Sequence, residues 1–124
     1  MTLLLIRNAN LYAPQPLGIR HLLIGGGRIL WIGEEAFDLP VSLRSVSPIV
    51  DAAGRPTVPG FIDGHVHVTG GGGEAGFRTR VPAVPLSRFT AAGITTVVGL
   101  LGTDDVVRGP GELLATLYAL REEG

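Results

Sequence analysis

The run Ile94-Thr95-Thr96-Val97-Val98-Gly99-Leu100-Leu101 constrains the fold most, because it is apolar and β-branched with no polar alternation. Such a run marks a strand covered on both faces, as in a parallel sheet. It lies between two stretches of helical period. Before it, Val84, Leu86, Phe89 and Ala92 recur at helical spacing, so a helix is expected from Pro82 or Pro85 to about Ala92, with Gly93 as its stop. After it, Leu113, Leu114, Leu117 and Leu120 mark a second helix from Gly111 to Glu123, and Glu112 in its first turn suits the helix dipole. An earlier apolar stretch, Val58, Phe61 and Ile62, reads as a short buried strand. Strand, helix, strand, helix is the order of a parallel βαβα unit.

At the end of the first of these strands stand His65 and His67. Residues i and i+2 of a strand face the same side, so both imidazoles can converge on one ion while Val66 points away. Neutral imidazole nitrogens suit zinc and similar divalent ions at roughly 2.0–2.1 Å. Four glycines, Gly70 to Gly73, follow directly, where the backbone can turn sharply or approach a ligand closely. Glu74 closes the loop, as a solvated carboxylate or as a binding group. Asp63 either orients an imidazole or ends the sheet. Thr103 reads as a helix N-cap or a site residue, and Asp104 and Asp105 as cap charges.

Residues 1–56 show short strands and tight turns. Leu3 to Arg7 and Leu11-Tyr12 straddle the polar Asn8 and Asn10, and Arg20 to Ile24 is joined through Gly25-Gly26-Gly27 to Arg28 to Ile32, a hairpin signal. Ile49-Val50 and Thr57-Val58 flank a second turn. These strands are too few for an independent sandwich. His21, beside Leu22 and Leu23, reads as a packed histidine.

The chain has 124 residues, 45% hydrophobic and 17% charged, the composition of a globular domain. A net charge of −1 gives no basic stripe, so nucleic acid is excluded as a partner. No cysteine is present, and therefore no disulfide framework or thiolate chemistry. The opening Met1-Thr2-Leu3-Leu4-Leu5-Ile6 is too short for a signal peptide or a membrane span, so no membrane partner is expected and a cytoplasmic location is. All ten basic residues are arginine.

Pro59-Gly60-Phe61-Ile62-Asp63 leading into His65-Val66-His67 resembles the amidohydrolase superfamily, which carries such a pair at the end of the first strand of a (β/α)8 barrel. Within it, Gly70 to Gly76 and Gly99-Leu100-Leu101-Gly102-Thr103-Asp104 are similar to the isoaspartyl (β-aspartyl) dipeptidase family. The resemblance implies an α/β fold: a small β-sandwich-like region over 1–56, then the first two β/α units of a (β/α)8 TIM barrel over 57–124. A complete barrel takes about 250 residues, so the barrel is incomplete in this chain.

The resemblance further implies a metallopeptidase hydrolysing small β-aspartyl dipeptides with water activated by two zinc ions, a homo-oligomer when complete. His65 and His67 would be metal ligands. Glu74 would receive the substrate's free α-amino group, with Gly72 and Thr103 on its other polar groups. A carboxylated lysine, two more histidines and the general-base aspartate of that family have no counterpart here, so no catalytic residue is assigned within the chain and the aspartate is expected beyond Gly124. Two alternatives stand beside this reading. One is another amidohydrolase, dihydroorotase-, hydantoinase- or D-aminoacylase-like, and the other is a non-catalytic fragment.

Overall fold

The computed structural model describes residues 3–36, 38–104 and 106–124. The chain divides into two compact units, Met1–Pro59 and Gly60–Gly124. Thr57 pairs with Leu11, so residues 57–59 go with the amino-terminal unit and not with the barrel portion, where the sequence reading placed them.

The first unit is one sheet. Strands β1 (Leu3–Tyr12), β2 (Pro16–Gly25) and β3 (Arg28–Gly33) form an antiparallel meander. The hairpin between β2 and β3 turns on Gly26 and Gly27, at φ 58° and 71°, the paired positive angles that a two-residue turn of this hand requires. A one-turn helix, α1 (Val41–Arg44), precedes β4 (Ile49–Asp51) and β5 (Pro56–Thr57), which both add to β1 in parallel.

The polar Asn8, which interrupts the sequence pattern, sits in a bulge of one continuous strand: register shifts between Ile6 and Ala9, and Asn8 takes φ 55°. An extra residue reverses the alternation. Ile6 therefore packs against the cluster of Ala9, Leu11 and Leu22 despite its even number. Asn8 Nδ2 donates to Asp51 Oδ1 at 2.9 Å, and the same oxygen accepts the Ala53 N–H at 2.8 Å, which ties the bulge to the turn after β4. His21 is buried, and its Nδ1 lies 3.4 Å from the Asn8 N–H.

The β-sandwich-like region expected from sequence is thus a single five-stranded sheet. The reason is the parallel pairing of β4 and β5 onto β1, which puts every strand of the unit on one sheet and, among the described residues, leaves no second sheet to face it. Ile29, Leu30 and Ile32 stay exposed in consequence.

The second unit starts with β6 (Phe61–Val66), followed by the short strands β7 (Gly71–Gly72) and β8 (Arg80–Val81), which pair with each other. Helix α2 (Leu86–Ala91) then leads to β9 (Ile94–Gly99) and α3 (Pro110–Glu123). Strands β6 and β9 pair in parallel, with α2 as the connection between them, so the fold is mixed α/β with the expected β-α-β-α order. Pro110 starts α3 where its missing N–H costs nothing.

The expectations of a buried first strand and of a second strand covered on both faces do not hold in this chain. Phe61 is 58% exposed, Ile62 71% and Val98 49%. Helix α3 covers β9 closely, since a Cβ at Gly99 would lie 2.8 Å from Leu117, but a two-stranded sheet has two open edges, and further strands are what would cover the rest. Among the described residues no helix is long and apolar enough to cross a membrane.

Candidate functional site

The β6–β9 register is irregular where the histidines lie. From Asp63↔Val97 to Val66↔Gly99 the first strand advances three residues and the second two, a bulge at Gly64-His65. The His65 N–H, taken out of the ladder, is accepted by Asp63 Oδ1 at 3.0 Å. Asp63 therefore serves the backbone at the strand end and not an imidazole.

His67 follows directly after β6, and its Nδ1 lies 3.2 Å from the Leu100 carbonyl. A carbonyl only accepts, so the contact selects the Nδ1–H tautomer and leaves the Nε2 lone pair for a ligand. That is the usual arrangement of a metal-bound imidazole. Two imidazoles on one tetrahedral ion at roughly 2.0–2.1 Å place their ring centres about 5 Å apart, and the rings of His65 and His67 are 5.3 Å apart, edge to face. The separation of the rings is thus the one that two ligands of a single zinc ion would show. Among the described residues no group of three or more potential ligands assembles.

The glycine loop forms a ribbon: Gly71 pairs with Val81 and Gly72 with Arg80. Gly70 and Gly72 take φ 88° and 70°, and a Cβ on either would run into the backbone of residues 79–82. Two of the four glycines are therefore required by the ribbon itself and not by a ligand.

The ribbon brings Glu74 to Thr103, which lies past the end of β9. The Thr103 hydroxyl is 3.3 Å from the Gly72 carbonyl and also within hydrogen-bonding reach of the Glu74 carboxylate. Its single proton serves one oxygen at a time. Chiefly through the Thr103 hydroxyl, and then through its own backbone N–H, the Glu74 carboxyl is held below its ordinary pKa. It is anionic at neutral pH. Thr103 is not a helix N-cap, since α3 begins after Gly109. His67, Gly72, Glu74, Gly102 and Thr103 line a common open cavity of about 280 Å³. The structure thus gathers Gly72, Glu74 and Thr103 with His67, beside which His65 stands. A larger cavity of about 490 Å³ between α2, β9 and α3 is walled by Phe89, Ile94, Val97 and Leu117 and holds none of these groups.

One cluster escaped the sequence reading. Asp104, taken for a cap charge, is buried, 2.6 Å from Arg80 Nε and 3.4 Å from Arg108 Nη1. Asp105 lies outside the described residues. Burial alone would push the Asp104 carboxyl up, but the Val107 N–H and the two guanidiniums outweigh it and hold its pKa below the ordinary value. Arg108, also buried, donates to the carbonyls of Gly71 at 3.0 Å and Val81 at 2.9 Å. The only sign in sequence is the spacing of Asp104 and Arg108 around Val106-Val107, with no helical period to explain it.

No protein-family model matches the chain. An imidazolonepropionase of Salinispora arenicola is 36% identical over 114 residues, which are 87% of this chain and 26% of that protein. A crystal structure of a β-aspartyl dipeptidase from Fervidobacterium islandicum AW-1, in complex with a β-Asp-Leu dipeptide, covers 98% of this chain at 38% identity and a TM-score of 0.85. The N-isopropylammelide isopropylaminohydrolase of Burkholderia multivorans covers 98% of the chain at 27% identity and a TM-score of 0.68. The chain spans 31% and 35% of those two solved chains, so it corresponds to a minor part of each protein it matches.

These likenesses support the amidohydrolase superfamily as the class of this chain. Within that class the sequence comparison points to imidazolonepropionases and the structural one to β-aspartyl dipeptidases, so the superfamily is supported and no one member of it is.

Proposed function

We propose that these residues form the opening strands and the amino-recognition loop of a zinc-dependent isoaspartyl dipeptidase built on a (β/α)8 barrel. The observation that carries the reading is the Glu74 carboxylate opposite Thr103, on the rim of the cavity that His67 lines. A β-aspartyl dipeptide presents a free α-ammonium, and an anionic carboxylate at the mouth of a cavity is its complement. The Thr103 proton can turn from Glu74 to Gly72 or to a substrate oxygen when an ammonium takes its place. Gly72 presents its carbonyl to the Thr103 hydroxyl with no side chain of its own in the way.

His65 and His67 would hold zinc, together with ligands from outside these 124 residues. Zinc bound there would polarise water and the scissile carbonyl. The role of His67 depends on Leu100, whose carbonyl fixes the imidazole's tautomer and orientation. The proton for the leaving amine needs a donor that the described residues do not bring to this cavity, and an aspartate on a later strand is the group expected to supply it.

A second reading has its own support, in the 36% identity to an imidazolonepropionase. The two differ at the ammonium. The test is steady-state turnover of β-Asp-Leu and of imidazolonepropionate by the protein that carries this chain, loaded with zinc, as wild type and as Glu74→Gln. The proposal expects turnover of the dipeptide, reduced ~10- to 10³-fold in kcat/KM by Glu74→Gln, the scale of a lost charge-assisted contact with some misplacement. Turnover of imidazolonepropionate alone, or full dipeptidase activity in Glu74→Gln, would overturn it.

A further inference from the structure

We infer that Arg108, Asp104 and Arg80 form a positioning network that sets where the Glu74 loop stands, and so how well the cavity holds an ammonium. The inference rests on the dipeptidase reading for its substrate and on geometry for the rest. Arg108 bridges both strands of the ribbon, donating to Gly71 on β7 and to Val81 on β8. A ribbon of two residue pairs, one strand of which is glycine, has no side-chain packing of its own to fix it. The guanidinium supplies what the glycines lack, because its planar fork reaches two carbonyls at once where an ammonium is a point donor. Asp104 in turn orients Arg108 and reaches Arg80, the register partner of Gly72.

The network also sits in the chain beside the residue it would serve. Asp104 follows Thr103 directly, so the segment that carries the hydroxyl opposite Glu74 is tied through one carboxylate to the strand that carries the loop. Neither Arg108 nor Asp104 reaches the cavity itself: both side chains are about 95% buried or more, at 5% and 3% exposure. They act on a substrate through Gly72 and Glu74 and are positioning residues.

The experiment compares Arg108→Met, Arg108→Lys and wild type in the zinc-loaded protein that carries this chain. Hydrogen exchange over residues 68–82 is read together with kcat and KM for β-Asp-Leu. Exchange across 70–76 is expected to rise ~10-fold or more in Arg108→Met while residues 61–66 stay as in wild type, with Arg108→Lys restoring it in part. KM is expected to rise ~10- to 100-fold with kcat within ~3-fold, and zinc content is expected to stay constant. A variant of lowered melting temperature whose loop exchange and KM equal those of wild type would show the network to be structural only, and would overturn the inference. Should wild type itself fail to cleave β-Asp-Leu, the dipeptidase reading falls alone, and the exchange arm still decides whether the network holds the loop.

Discussion

Substituting Gly70 by alanine separates two reasons for a glycine that the sequence cannot tell apart. Gly70 and Gly76 have similar backbone angles, φ 88° and 101°, and a left-handed conformation of this kind costs a residue with a Cβ about 1–2 kcal/mol. The surroundings differ. A Cβ at Gly76 meets nothing within 4 Å, whereas one at Gly70 falls 2.7 Å from the Pro82 carbonyl carbon and 2.8 Å from its oxygen, and closer still to the Val81 oxygen. All three are backbone atoms, and the Val81 carbonyl is fixed by Arg108, so relief by side-chain rotation is closed. Overpacking of this kind adds roughly 1–3 kcal/mol. Gly76→Ala should therefore open the loop by about 1–2 kcal/mol and Gly70→Ala by about 2–5 kcal/mol. At roughly tenfold per 1.4 kcal/mol, amide exchange across 68–82 should accelerate about 5- to 30-fold in the first and about 30-fold to several thousand-fold in the second. Gly64→Ala, with φ outside the left-handed region and no neighbour within 4 Å, is the control and should leave that segment unchanged. Equal exchange in Gly70→Ala and Gly76→Ala would refute the steric half of the reasoning.

Thr103→Val removes the hydroxyl that contributes most to lowering the Glu74 pKa, so the carboxyl should titrate at higher pH than in wild type, as read by carboxyl NMR. Asp104→Asn should lower the melting temperature at neutral pH. Because the folded-state pKa of Asp104 is depressed, the stability it lends is full above its unfolded value of 3.8 and fades as pH falls through the folded one, so variant and wild type should converge in acid. Two imidazoles without a third ligand should hold zinc weakly. Isothermal titration of the 124-residue chain should show no tight binding, and stoichiometric uptake of two ions would contradict this.

The β-α-β-α order was legible because β-branched runs and helical spacings are local properties of the chain, and α2, β9 and α3 lie within a few residues of where their periods put them. The pairing of β4 and β5 with β1 was not legible, since it joins residues about forty apart and no side-chain pattern specifies a parallel partner. Exposure of Phe61 and Ile62 could not be read either, because an apolar side chain looks the same in sequence whether or not another element packs on it. At the site, the spacing of His65 and His67 was read as simple strand alternation, and the bulge at Gly64-His65 was hidden because a register shift belongs to two strands together. Asp104 was misjudged for a similar reason. Arg108 lies four residues on, but Arg80 comes from another segment, and only the ribbon brings it to the carboxylate.

The bulge in β6 has a consequence for how this chain can change. Upstream of it, Ile62 and Asp63 pair with Thr96 and Val97 and hold the two strands together; downstream, His65 and His67 take their directions from the extra residue, from Asp63 Oδ1 and from the Leu100 carbonyl. Asp63 thus serves both, its backbone in register with Val97 and its carboxylate on the His65 N–H. A change of side chain at position 63 can therefore reshape the bulge beneath the two imidazoles while the backbone ladder that threads the strand keeps its register.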